Sequence, residues 1–243
     1  MVTPPAPPNP ANVVRMLPPI PNGGPFTMHP YYLGETIFVV ASGPSLKTVN
    51  FRQIEGRKII CVNSSYELVP YPSFIYFGDG RWWRNHGPDL CLKKQADGSH
   101  THLVTCSGIV KHKRLLKVTR FKPSAGVGFA TDRNTLASQR TSLQGAMNLA
   151  AHLNSDDNIK GKIVLIAADM GRDPKTGVSH GHKPHPWVNR PGNVTWDEQM
   201  RHLKWIVKPL LERGIEVVNT SMGSRIPWWR KQTLEDFLKE EKQ

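Results

Sequence analysis

The chain is short of acid. It carries 19 aspartates and glutamates against 32 lysines and arginines, for a formal net charge of +13. Such an imbalance favours polyanionic partners (nucleic acid, an anionic membrane surface or a phosphorylated substrate) or marks a merely soluble basic protein. Cysteine is scarce as well. Cys61, Cys91 and Cys106 are odd in number and form no C-x-x-C pair, which argues against a disulfide scaffold and against a thiolate zinc site. Cys61 and Cys106 fall in strand-like runs and read as small packing residues. No apolar run approaches the length of a membrane span. The N-terminus lacks the basic-then-apolar order of a secretion signal, so an intracellular, cytoplasmic protein is expected. The G-x-G-x-x-G dinucleotide fingerprint and the Walker lysine pattern are both missing.

What is there is organised along the chain. Length allows one domain with at most a small insertion. Residues 1–30 are proline-rich, with Thr3-Pro-Pro-Ala-Pro-Pro-Asn-Pro10 and Leu17-Pro-Pro-Ile-Pro21. Proline removes donors and fixes φ, so this stretch is expected to be an extended arm without a packed core, and residues 31–243 the folded domain, with order beginning near Thr36. Strands are expected at Thr36–Ala41, Lys58–Asn63, Ser73–Gly78, His102–Cys106, Lys162–Ala168 and Ile215–Asn219. Several are continuous apolar runs rather than alternating ones, as suits a parallel sheet covered on both faces. Helices are expected at Thr141–Leu153 and Leu234–Lys242. A third, Trp196–Arg213, would follow a capping box at Thr195 and Glu198, face Met200, Leu203, Val207, Leu210 and Leu211 inward, and be kinked or broken by Pro209. The assembly these elements predict is α/β: a single Rossmann-like, doubly wound, mostly parallel sheet with helices on both faces.

Four segments follow strands, and in open α/β sheets ligands sit at the carboxyl ends of strands. The most informative is Phe38-Val-Val-Ala-Ser-Gly-Pro-Ser-Leu-Lys47, where an apolar run stops at Ser42, Gly43, Pro44 and Ser45. Gly43 lets backbone approach a ligand closely, and Ser45 caps the next turn or donates to a phosphate. Asn63, at the end of the next strand, offers one acceptor and two donors to a base or ribose edge, or caps a helix. Asp79, between Gly78 and Gly80, is placed to orient an acceptor hydroxyl or bind a metal. Trp82 and Trp83 beside it read as a stacking platform or as cover for the sheet edge. The fourth segment runs from Asp169 into Ser179-His180-Gly181-His182-Lys183-Pro184-His185-Pro186. A loop histidine is a ready general base near neutral pH, and His180, His182 and His185 are the candidates. The same histidines with Asp169 or Asp173 also read as metal ligands, or as plain surface residues. Thr141 and Ser142 open a helix, where hydroxyls and unpaired N–H groups suit phosphate. Lys111, Lys113, Arg114, Lys117, Arg120 and Lys122 form a basic stretch without acid that reads as a nucleic-acid track or as a solvated face.

The order of these motifs resembles a known family. A strand into Gly43-Pro-Ser-Leu46, a strand ending Cys61-x-Asn63, a helix start at Thr141-Ser142 and a strand into a histidine loop look like glycosyltransferase family 42, the bacterial sialyltransferases, and the related motility accessory factor sugar transferases. Similar short proteins are encoded by bacteriophages. The likeness covers roughly residues 36–225. Ser42 stands where the family has Asn, and Leu143 where it has Gly. The resemblance implies a Rossmann-like, metal-independent transferase using a nucleotide-sugar donor (CMP- or UDP-linked). The Gly43–Leu46 turn, Asn63, Thr141 and Ser142 would hold the nucleotide, with Ser42 and Asp169 expected beside them, and a loop histidine would be the base. The expected acceptor is a hydroxymethylated base in phage DNA or a glycan, in the host cytoplasm if the protein is phage-encoded. Two alternatives remain open: a pterin-diphosphokinase-like pyrophosphoryl transferase using ATP and Mg²⁺ held by Asp79, Asp169 and Asp173, and a non-catalytic DNA-binding protein.

Overall fold

The structure is a computed structural model that describes residues 17–124, 127–183 and 193–242. The strands in chain order are β1 (Gly24–Pro25), β2 (Thr36–Val40), β3 (Lys58–Val62), β4 (Phe74–Phe77), β5 (His102–Thr105), β6 (Leu115–Lys117), β7 (Thr119–Phe121), β8 (Thr135–Ala137), β9 (Lys162–Ile166), β10 (Glu216–Asn219) and β11 (Arg230–Lys231). The helices are α1 (Gly80–Leu92), α2 (Ser142–Asn154), α3 (Asn193–Lys204), α4 (Val207–Glu212) and α5 (Leu234–Glu240). Among the described residues, nine strands make one sheet in the spatial order β1-β6-β5-β4-β3-β2-β9-β10-β11. All its pairings are parallel. A separate two-stranded parallel piece joins β7 to β8.

The apolar runs explain the layering. Side chains alternate across a strand, so Ile37 and Val39 enter one core while Phe38 and Val40 enter the other. Both faces must therefore be covered. On the first lie α2, α3 and α4, through Ala146, Met147, Ala150, Leu203 and Leu210. Small residues bring α2 close: a Cβ on Gly145 would sit 2.3 Å from the Tyr76 hydroxyl. On the second face lie α1 and α5, through Trp82, Leu90 and Phe237. This is the doubly wound α/β architecture.

Several boundaries differ from the sequence expectation, each for a physical reason. The described part of the arm, residues 17–30, does not stay outside the core. Phe26 and Met28 are fully buried, and Gly24–Pro25 pairs with the edge strand β6. Proline suits such an edge because its missing N–H points away from the ladder. Helix α1 carries Gly80, Gly87 and Pro88 and so lacks a helical propensity signal; its start is fixed instead by Asp79, whose carboxylate accepts from the Arg81 N–H at 2.8 Å. The expected helix at 196–213 is two helices, α3 and α4, broken at Trp205–Ile206, so that Pro209 falls in the first turn of α4 where its missing N–H costs nothing. Thr195 lies inside α3, not at its cap, because α3 already begins at Asn193. Leu211 faces solvent, 75% exposed, since the break rotates α4 relative to α3. The basic stretch is divided between two sheets: β6 belongs to the large sheet and β7 to the small one.

Candidate functional site

The chain runs from β2 outward to β6, then returns to lay β9 on the other side of β2. Strands β2 and β9 therefore flank the point where the winding direction reverses, and their carboxyl ends diverge into a crevice. The crevice encloses about 760 Å³. Ser42, Gly43, Asn63, Asp79, Thr141, Ser142, Asp169, His180 and His182 all line it. Residues from four strand ends, one helix start and one loop are thus brought together.

The turn after β2 is held by the strand end after β9. The Gly43 N–H donates to the Ala167 carbonyl at 2.9 Å. The Asp169 carboxylate accepts from the Ser45 N–H and from the Ser45 hydroxyl, both at 2.8 Å. Burial pushes the Asp169 carboxyl above the usual range, and the two Ser45 bonds pull it back. The neighbour that requires glycine at 43 is therefore protein: an added Cβ would lie 2.3 Å from Asp169 Oδ2 and 2.6 Å from the Ala167 carbonyl. Ser45 and Pro44 lie behind the crevice wall and shape it, and Asp169 acts as their latch. On the far side Ser42 donates to the Val62 carbonyl at 3.0 Å.

The histidine loop lies on this turn. The Gly181 N–H donates to the Ser42 carbonyl at 3.0 Å, and a Cβ there would meet Leu46 Cβ at 2.5 Å. His182 is 8% exposed. Its Nδ1 lies 2.6 Å from the Lys183 carbonyl, so in the neutral ring the proton resides on Nδ1 and Nε2 carries the lone pair. Burial lowers its pKa. His180 is lowered to about 4, by burial first and by His182 and Arg172 after it. Both shifts favour the neutral ring, the state a proton acceptor needs. His185 lies outside the described residues.

The backbone around the crevice is strained in one respect. Among the described residues, the non-glycine positions with positive φ are Asn63 (51°), Arg140 (61°), Ala167 (53°) and Met170 (53°), and all four line this crevice. Each left-handed non-glycine residue costs of order 1 kcal/mol, and such strain persists where surrounding structure over-determines it. The Asn63 Oδ1 is buried and has no donor among the described residues. Helix α2 begins on the same wall, capped by Thr141, whose hydroxyl accepts from the Leu143 N–H at 3.3 Å. Lys47, Arg140 and Arg172 add positive charge to the wall, with Arg140 paired to Glu198 at 3.1 Å and Arg172 donating to the Gly177 carbonyl at 2.9 Å. Sequence reasoning did not single out these three cations or Ala167: positive φ leaves no mark on an alanine or an arginine, and Arg140 follows a strand too short to read.

The remaining candidates sit elsewhere or are engaged. Trp82 is buried with its Nε1–H on Ser64, and Trp83 stacks on Phe77 at 5.3 Å, so they cover the sheet. In the basic stretch, Arg114 donates to the Cys91 and Thr101 carbonyls, Lys117 to the Val110 carbonyl, and Arg120 to the Gly78 carbonyl. These three tie loops to the sheet, while Lys111, Lys113 and Lys122 point to solvent. Asp79 and Asp169 both line the crevice while Asp173 does not, and each accepts from a different stretch of backbone, Asp173 from Lys175 and Thr176. Among the described residues, no three His, Cys, Asp or Glu side chains gather as a metal-holding set. No described helix is long and apolar enough to cross a membrane. Compared with protein-family models, with curated proteins and with solved structures, the chain matches none.

Proposed function

We propose that the crevice binds a nucleotide-linked sugar (CMP- or UDP-linked) and that the protein transfers the sugar to an acceptor hydroxyl. The observation that carries this reading is the meeting, at the reversal point of the sheet, of an anion-suited helix start, an unpaired acceptor on Asn63 and two neutral imidazoles. Asn63 and the α2 amides would contact base, ribose and phosphate. A loop imidazole would take the hydroxyl proton as the acceptor oxygen attacks the anomeric carbon. The charge gathering on the leaving phosphate would be met by α2 amides and by Lys47, Arg140 and Arg172. The resemblance to family 42 and to the motility accessory factor group leads to the same reading from the motifs.

A thermal-shift panel of CMP, UDP, GDP and ATP tests it. A ligand that binds only the native state raises stability by RT ln(1 + [L]/Kd), about 2.7 kcal/mol at a hundredfold excess over Kd. The expected result is a shift with CMP or UDP that persists in EDTA. A shift with ATP alone, abolished by EDTA, would favour pyrophosphoryl transfer instead. DNA as acceptor predicts binding that falls steeply between about 50 and 200 mM salt.

A further inference from the structure

Helix α1 turns one ridge to solvent. Successive residues of a helix are about 100° apart, so Arg81, Arg84, Pro88 and Leu92 fall within an arc of about 80°. All four are exposed, on the side away from buried Trp82 and Leu90. The segment 107–114, which follows β5, runs along the flank of this ridge. A Cβ on Gly80 would meet Ile109 Cδ1 at 2.7 Å. The His112 ring lies 5.4 Å from the Trp83 ring, and its Nε2 is 4.0 Å from Cys91 Sγ. Arg114 donates to the Cys91 carbonyl. The segment therefore follows α1 from its first turn to its last, and sets exposed Ile109, Lys111 and Lys113 beside the ridge.

Two properties coincide on this face. Ile109 and Leu92 are the most exposed large apolar side chains among the described residues, at 83% and 77%. They stand among four cations: Arg81, Arg84, Lys111 and Lys113. Segment 107–114 contains no acid. The one acid within α1, Asp89, lines a separate cavity on the other flank with Asn85, His86 and Lys93. Asp79, which caps the helix, lies 3.5 Å from the Arg81 guanidinium. An exposed aliphatic by itself is ordinary. Two of them set among like charges match a boundary with an anionic outer layer and hydrocarbon beneath it. A single-stranded nucleic-acid track would offer aromatic rings for stacking, but Trp82 and Trp83 turn toward the sheet.

We propose that the α1 ridge and segment 107–114 dock peripherally on an anionic lipid bilayer. Ile109 and Leu92 enter the boundary between headgroups and acyl chains, and the four cations meet headgroup phosphates. Asp79, at the start of the same helix, lines the crevice, so the docked face begins beside the crevice. The inference stands on this face alone and is independent of the nucleotide-sugar reading.

Co-sedimentation of the full chain with vesicles tests it. One set is phosphatidylcholine alone; the other is phosphatidylcholine and phosphatidylglycerol in equal parts. Binding is expected to the mixed vesicles, weakening as salt rises, with little to phosphatidylcholine. Each cation near the surface contributes about fivefold in affinity, so Lys111→Ala with Lys113→Ala should weaken binding about 25-fold. Ile109→Ser should weaken it about tenfold or more through lost apolar burial. Leu92→Ser, at the opposite end of the helix, reads the same loss should Ile109→Ser disturb folding in a thermal melt. No binding to mixed vesicles, equal binding to both sets, or binding unchanged by the two serine variants overturns the proposal. Tighter binding to duplex DNA than to vesicles, indifferent to Ile109→Ser, would overturn it in favour of a nucleic-acid face.

Discussion

Two regions of this protein look equally functional as strings of residues and are built in opposite ways. The Ser42–Ser45 turn and the Asp169–His182 segment come from distant parts of the chain, meet at the reversal of the sheet, and leave polar atoms facing a cavity. The Lys111–Lys122 stretch is contiguous and strongly basic, yet half of its cations turn inward onto backbone carbonyls. Charge density alone does not separate a cation that binds a partner from one that closes a loop.

That contrast can be broken or sharpened by experiment. The largest effect is expected at Gly43. A methyl group there overlaps the Asp169 carboxylate and the Ala167 carbonyl, so Gly43→Ala should destabilise by up to about 3 kcal/mol and abolish the nucleotide-dependent rise in Tm. A variant with full stability and full nucleotide response would mean the latch does not shape the site. Next is Arg114→Ala, which strands two carbonyls and should cost about 2 kcal/mol in denaturant melts, with nucleotide response unchanged. Lys111→Ala, an exposed neighbour, should stay within about 0.5 kcal/mol. Equal costs at both positions would erase the distinction between tied and free cations.

Acid comes third. His180 is held at about 4 in the fold against 6.5 when unfolded. Between those values the unfolded chain binds more protons, so native stability falls as pH drops below 6.5, by up to about 1.4 kcal/mol per pH unit for this ring. His102 and His152, also lowered to about 4 by burial, add to the slope. His180→Ala should flatten the Tm-versus-pH curve between pH 6.5 and 4; an unchanged slope would mean the ring is not buried as described. An effect of opposite sign is expected at Ala167, where φ is 53°. Ala167→Gly should relieve strain of about 1 kcal/mol and raise Tm slightly, while weakening nucleotide binding if the bend is what positions the wall. A fall in Tm would show that the lost methyl matters more than the strain.

Much of the architecture was legible in the residues. The six long apolar runs are the six central strands within one or two residues, because full burial on both faces leaves an unbroken apolar signature. The edges were not: β1, β6 and β11 are two or three residues long and take their strand character from a neighbour rather than from their own side chains. Helix α1 hid behind Gly80, Gly87 and Pro88. At the crevice, the turn, Asn63, the α2 start and two histidines could be named from their places after strands. The partnership of Ser45 with Asp169 could not, since it spans 124 positions and depends on β9 returning beside β2. Nor could the contact of Tyr66 with His86, which joins the turn at Asn63–Glu67 to α1.

The docking of Phe26 and Met28 has a consequence for how the molecule is made. This plug leaves the ribosome early, but its strand partner Leu116 is synthesised far later. Until then one margin of the growing sheet has nothing to close it, and open strand margins invite pairing with other chains. That margin can close once β6 is made, while β9, β10 and β11 of the same sheet are still to come. A proline-bearing clasp is well suited to such a wait, because it lacks the N–H that would let it zip prematurely into a stranger's ladder.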